Sequence, residues 1–299
     1  MRSSETMTST RWTSCGVFRR SQYLAWAAVS YLSGDTLCPG CAGANTKLLR
    51  RKWLVTALYE CSNCALRFRF PKDAIHAARD FYQDTYEQGF TTRLPTEEEL
   101  EQLTASRFTG HEKDYRAYIR ILEAAGIVPP ASILDFGASW GYGSWQLQAA
   151  GYEVFAYEVG AKRARFAASA LGVTVIDDPR DPPRPVDCFF SAHVLEHLAN
   201  PNELWQVARA ALKSQGTFIA FVPNGNPERE RVEADNYHRL WGQVHPLLVT
   251  PEYLLSASAR HGFRASVYSS PYALETIRQR CSGDRLDGAE LAVIGWRLP

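Results

Sequence analysis

From residue 131 onward, short apolar runs alternate with amphipathic ones. Ser132 to Phe136, Glu153 to Tyr157, Val173 to Ile176, Val186 to Phe190, Gly216 to Val222, Arg264 to Ser269 and Glu290 to Leu298 each predict a strand. The stretches from Trp145 to Ala150, Ala161 to Leu171, Pro201 to Leu212 and Pro251 to His261 predict helices between them. Such alternation predicts an α/β domain over 131–299 with a mostly parallel sheet. The segment 73–130 reads instead as a helical linker or lid. Phe81, Tyr82, Tyr86 and Phe90 lead it, Thr96 with Glu99 forms a capping-box pattern, and a periodic run spans Tyr115 to Ala125. Pro129-Pro130 closes it.

The remaining N-terminal chain follows other patterns. Residues 33–72 carry two C-x-x-C pairs, Cys38/Cys41 and Cys61/Cys64, at a spacing that suits a four-cysteine zinc ribbon. Each pair places two thiolates on one tight turn, and two turns complete a tetrahedron with no open position, so the metal is expected to be structural. Leu48 to Tyr59 between them suits a short hairpin. Residues 1–32 are expected to be a leader. The first 20 are rich in Ser, Thr and Arg and are expected to be disordered. The run Tyr23 to Leu32 reads as a short helix or mobile segment, since no small-residue cleavage site follows it as a signal peptide would require.

Composition narrows the function classes. The chain has 299 residues, 45% apolar and 22% charged, with a formal net charge of +1. That balance predicts no general affinity for nucleic acid or anionic membranes. No apolar run approaches the roughly 20 residues of a bilayer span. Seven cysteines, four of them in the two pairs, argue against a disulfide framework and for a reducing, cytoplasmic setting. The ribbon is locally basic: Lys47, Arg50, Arg51, Lys52, Arg67, Arg69 and Lys72 stand against Glu60. Such a face is either solvated or a contact for an anionic partner.

The chemistry concentrates after the first strand of the α/β domain. Asp135-Phe136-Gly137-Ala138-Ser139-Trp140-Gly141-Tyr142-Gly143 ends that strand in a glycine-rich turn and opens a helix. Glycine lets the backbone turn sharply there and approach a ligand closely. Glu158 ends the next strand, about 20 residues on, where an acid can accept hydrogen bonds from both ribose hydroxyls of a nucleoside cofactor. A carboxylate at the turn, Asp135, suits a cofactor bearing an amino group and a sulfonium rather than a pyrophosphate.

These residues resemble the class I S-adenosylmethionine-dependent methyltransferases, whose pattern is an acid, one residue, then Gly-x-Gly-x-Gly. Ser139 stands where that family usually has its middle glycine. The run His193-Val194-Leu195-Glu196-His197 resembles the family's fourth-strand motif, and Val222-Pro223-Asn224 its turn after strand five. Trp241-Gly242, His245-Pro246 and Thr250-Pro251 are similar to a substrate-side insertion. The resemblance implies a Rossmann-like seven-stranded sheet in the order 3-2-1-4-5-7-6, with strand seven antiparallel. It implies S-adenosylmethionine held by Asp135, Gly137, Ala138, Ser139, Gly141, Gly143 and Glu158, with Asp178 at the adenine and His193 beside the cofactor. Glu196 and His197 would fix the loop or the methionine end. His193 and His245 are the expected general bases. A ribbon upstream implies a small-molecule acceptor, such as a sugar or sugar nucleotide, with O-, N- and C-methylation all open. An RNA methyltransferase gripping substrate by its basic ribbon, and a non-catalytic cofactor-binding or assembly protein, remain the alternatives.

Overall fold

The computed structural model describes residues 25–72 and 93–298, apart from Trp26, Ser33, Trp53, Glu233, Gln243 and Asp284. The expectations for residues 1–20 and for Phe81 to Phe90 lie outside the described residues.

Seven strands form the central sheet: β4 (Ser132–Phe136), β5 (Glu153–Tyr157), β6 (Thr174–Val175), β7 (Val186–Ala192), β8 (Leu212–Pro223), β10 (Phe263–Ser269) and β11 (Glu290–Arg297). Their order is β10-β11-β8-β7-β4-β5-β6. The five from β6 to β8 are parallel, while β11 runs antiparallel to both β8 and β10. In strand numbers this is the order 3-2-1-4-5-7-6 read backwards. The central parallel strands β4 and β7 are buried on both faces, which is why they read as unbroken apolar runs.

The helices follow the apolar periodicity. They are α1 (Glu97–Ala105), α2 (Arg116–Ala124), α3 (Tyr142–Ala149), α4 (Ala161–Leu171) and α5 (Asn202–Ala211). After β8 come α6 (Pro227–Val232), α7 (Ala234–Arg239), α8 (Pro251–Arg260) and α9 (Leu274–Arg278). The capping box at the start of α1 forms in full: Thr96 Oγ1 accepts from Glu99 N, and Glu99 Oε2 accepts from Thr96 N. β8 begins at Leu212, directly where α5 stops, rather than at Gly216. Arg297 donates to the Leu212 carbonyl, and Leu212 pairs with Val186, so tertiary partners extend the strand through polar residues.

The ribbon forms a second sheet, and its last strand comes from elsewhere in the chain. β1 (Thr46–Lys52), β2 (Thr56–Cys61) and β3 (Arg67–Phe70) form an antiparallel meander, and β9 (Leu247–Leu248) adds to its edge. Phe68 pairs with Leu247 and Arg67 with Leu248, while Arg69 N donates to the Pro246 carbonyl at 2.7 Å. The stretch between β8 and α8, which looks irregular in sequence, thus folds as two short helices and a strand that closes the ribbon's open edge. The cysteine turns are fastened to the same body. Gly40 lies so close to Tyr253 of α8 that a Cβ there would sit 2.7 Å from its ring. Arg260 donates to the Gly40 carbonyl, and Thr250 Oγ1 to the Ala65 carbonyl. Cys38, Cys61, Leu66 and Phe68 share one apolar core with Trp205, Tyr253 and Phe218.

Candidate active site

The carboxyl ends of the parallel strands open into a cavity of about 1060 Å³. Gly137, Ser139, Glu158, His193, Glu196, His197, His245 and Glu290 all reach it. Ligands of open α/β sheets bind at this end because the strand order reverses there, between β4 and β7, and leaves a crevice.

The glycine turn builds one wall. Gly137 adopts φ +88°, and a Cβ on it would lie 2.3 Å from Val194 Cγ2, so only glycine lets the loop after β7 close over it. Ser139 also sits in the left-handed region, at φ +52°, which accounts for the glycine usual at that place. Its backbone N–H donates to Glu158 Oε2 at 3.0 Å. Glu158 Oε1 accepts from Gly160 N at 2.7 Å and from Arg163 at 2.6 Å. This carboxylate is therefore locked at the end of β5 before any ligand arrives. Ala138 is buried in the turn.

The other predicted cofactor residues stand behind this wall. Asp135 is 2% exposed, and its carboxylate accepts from Ser144 Oγ at 2.6 Å. Burial pushes its pKa up to about 6; the Ser144 hydrogen bond opposes this and the Glu158 charge adds to it. Asp135 thus fastens the turn to α3 instead of facing the cavity. Gly141 makes room for Ala167 of α4, and Gly143 for the ring of Tyr115, where a Cβ would lie 2.3 Å from Cζ. Those two glycines let helices pack beneath the site. Asp178 is exposed at the end of β6, outside the cavity, and its Oδ1 accepts from Arg180 N. Asn224 is fully buried and braces the loop before β11 through the Leu286 and Gly288 carbonyls.

The opposite wall is polar and titratable. His193, at φ +57°, lies between two carboxylates: Nδ1 is 3.3 Å from Glu196 Oε1 and Nε2 is 2.7 Å from Glu290 Oε2. Burial alone would lower its pKa, but the hydrogen bonds to Glu196 and Glu290 outweigh it and hold the ring at about 10. Glu290 also accepts from Tyr118 and Tyr272, at 2.8 and 2.7 Å. The sequence gives little sign of Glu290, which is only the first residue of an apolar strand. Tyr118 identifies α2 as both lining and packing: it borders the cavity while its ring lies 4.3 Å from that of Phe221.

Beyond Glu196 stand two further imidazoles. His197 Nδ1 donates to the Val244 carbonyl at 2.8 Å, and His245 Nδ1 to the Leu240 carbonyl at 3.0 Å. Burial, helped by the nearby His245, lowers the His197 pKa against the pull of Glu196.

At the far side of the insertion the four cysteines converge. Cys38 and Cys64 Sγ lie 3.5 Å apart, as do Cys41 and Cys61 Sγ. Thiolates at about 2.3 Å from a shared tetrahedral ion stand about 3.8 Å apart, so the cluster fits a zinc ribbon.

The methyltransferase-domain family matches residues 108–266. The chain belongs to that family, and its sheet order is that of the class I S-adenosylmethionine-dependent methyltransferases. Similar solved structures include a TehB-like SAM-dependent methyltransferase from Corynebacterium glutamicum, 18% identical, covering 67% of this chain and 95% of that one at a TM-score of 0.44. A SAM-dependent methyltransferase from Archaeoglobus fulgidus is 16% identical over 66% of this chain and 99% of its own, TM-score 0.45. DhpI in complex with SAH is 17% identical over 75% and 95%, TM-score 0.45. Among curated proteins none matches the sequence. Among the described residues no helix is long and apolar enough to cross a membrane.

Proposed function

We propose that this enzyme binds S-adenosylmethionine in the cleft between the glycine turn and Glu158 and methylates a hydroxyl-bearing small molecule, such as a sugar. When bound, the cofactor supplies a methyl group on a sulfonium, already activated as a leaving group. Gly137 and Ser139 border the cavity, and Glu158 is fixed beside them where ribose hydroxyls would donate to it. An acceptor hydroxyl would lose its proton as it takes that methyl group. The protein's task is to orient the two and take up that proton.

The single observation that carries the acceptor reading is the polar wall opposite Glu158, built from two tyrosines, three histidines and two glutamates. Of the two expected bases, His193 has both ring nitrogens against carboxylates, which leaves neither for an acceptor. His245 and its neighbour His197 each donate from Nδ1 to a backbone carbonyl, so a neutral ring carries its lone pair on Nε2. We therefore place activation of the acceptor at the corner formed by Glu196, His197 and His245, with His193 bridging Glu196 and Glu290.

Against the RNA alternative, part of the ribbon's positive charge is taken up by contacts within the protein. Arg67 pairs with Glu60 and Glu230, Lys72 with Asp35, and Lys52 donates to the His238 and Trp241 carbonyls. Arg67 and Lys52 thus hold the insertion in place, while Lys47, Arg50 and Arg51 are exposed. The cavity itself carries Glu112, Asp114, Glu158, Glu196, Glu203 and Glu290 against Arg120 and Arg163, a poor setting for a polyanion. We also propose structural zinc at the four cysteines, which supports the ribbon that holds the insertion.

The test is methyl transfer from labelled S-adenosylmethionine into fractionated small-molecule and RNA pools, with mass analysis of the product. Label in a hydroxylated small molecule, lost with His245→Ala while SAH affinity stays within threefold, is the expected result. Label confined to RNA, or full turnover by His245→Ala, would sink this reading.

A further inference from the structure

Three ligand-type side chains meet at the corner of the cavity where β7 ends and the insertion returns. One carboxylate oxygen of Glu196 and one ring nitrogen each of His197 and His245 all lie within 4.8 Å of one another. Ligands about 2.1 Å from a shared ion stand roughly 3 to 3.5 Å apart, so small side-chain rotations close the set. The separation of His197 Nε2 from Glu196 Oε1 is already 3.9 Å.

A second observation points the same way. Glu196 is 2% exposed, and its Oε2 is a buried oxygen without a hydrogen-bond partner. A carboxylate oxygen out of water and unbonded is costly unless a cation or donor comes to it. The rings are also held as metal-bound imidazoles usually are, with the remote nitrogen donating to a carbonyl: His197 to Val244 and His245 to Leu240. That fixes the tautomer that presents Nε2.

We propose that Glu196, His197 and His245 form a binding site for a divalent first-row transition-metal ion, open to the cavity. Three protein ligands leave positions for the acceptor's oxygens, and two imidazoles with one carboxylate suit Mn, Fe, Co or Zn better than Mg or Ca. Such an ion would lower the pKa of a bound hydroxyl and orient it, which favours an acceptor with two adjacent oxygens. The site differs from the cysteine cluster in chemistry: hard and borderline donors here, soft thiolates there. The inference deepens the methyl-transfer reading and rests on it for its role, but not for the binding itself.

The experiment uses Mn2+ alone on full-length protein carrying one zinc per chain, with free Mn2+ followed by electron paramagnetic resonance and neither cofactor nor acceptor present. The expected result is one saturable Mn2+ per chain, weakened roughly tenfold or more by Glu196→Gln and by His245→Ala, each checked for native circular dichroism and unchanged zinc content. Absence of saturable binding to the wild type up to millimolar Mn2+ overturns the proposal. So does wild-type affinity in a folded variant. Because no turnover is read, failure of methyl transfer and failure of this site are seen separately.

Discussion

His197 and His245 stand edge to face with ring centroids 4.6 Å apart. One follows β7 in the central sheet; the other sits just before β9 in the ribbon's sheet. The backbone joins them more closely still, since the carbonyl that anchors His197 belongs to Val244, next to His245. The cysteine ribbon is therefore coupled to the cavity: β3 pairs with β9, and Arg69 donates to the carbonyls of Pro246 and Gly242 on either side of His245.

That coupling predicts the effect of losing zinc. Cys61→Ser, or strong chelation of the wild type, should unfold the ribbon sheet and release the insertion. Turnover should fall more steeply than SAH affinity, because the glycine turn and Glu158 lie on other strands. Parallel measurement of zinc content, turnover and SAH binding checks this. Full activity in zinc-free protein would break the link.

Glu158 should govern cofactor affinity. Hydrogen bonds to a charged group are worth about 1.5 to 3 kcal/mol each, so Glu158→Gln should weaken SAH binding roughly 10- to 100-fold by calorimetry. It should also lower stability, because Arg163 is only 10% exposed and would lose its ionic partner. An unchanged SAH affinity would remove Glu158 from the cofactor site.

Asp135 should make stability depend on pH. Its pKa rises from 3.8 unfolded to about 6 folded, chiefly through burial. The folded state therefore holds the proton more tightly. The contribution is fully present below the unfolded value of 3.8 and is lost as pH rises through the folded value near 6. About two pKa units correspond to about 3 kcal/mol. Asp135→Asn should raise Tm at pH 7.5 and flatten the pH 4 to 6 part of the profile relative to wild type. A mutant less stable than wild type at pH 7.5 would contradict this.

The two glycines that look alike in sequence should fail differently. Gly143→Ala drives a methyl into the buried Tyr115 ring and should cost about 1 to 3 kcal/mol of stability, read from denaturant melts. Gly137→Ala adds the strain of φ +88° to its collision with Val194, at the cavity wall. It should weaken SAH binding beyond the stability loss, whereas SAH binding by folded Gly143→Ala should change little.

The apolar runs and their spacing determined much of this protein without help. All seven strands of the main sheet, helices α3, α4, α5 and α8, the capping box at Thr96 and the hairpin within the ribbon follow from local pattern, because burial on one face or both dictates residue type directly. The pairing of two C-x-x-C turns was equally legible, since thiolates at that spacing have few other uses. Only the tertiary structure decided what depends on distant partners. Nothing in Leu247-Leu248 announces an edge strand for the ribbon, and nothing in Glu290 announces a carboxylate against His193. The Asp135 hydrogen bond to Ser144 and the seating of Ala167 and Tyr115 on Gly141 and Gly143 likewise depend on other elements of the fold. Pattern records how often a side chain meets the interior. Which neighbour it meets there is fixed by strand order and by loops that return from far along the chain, and that choice sets the chemistry of the cavity.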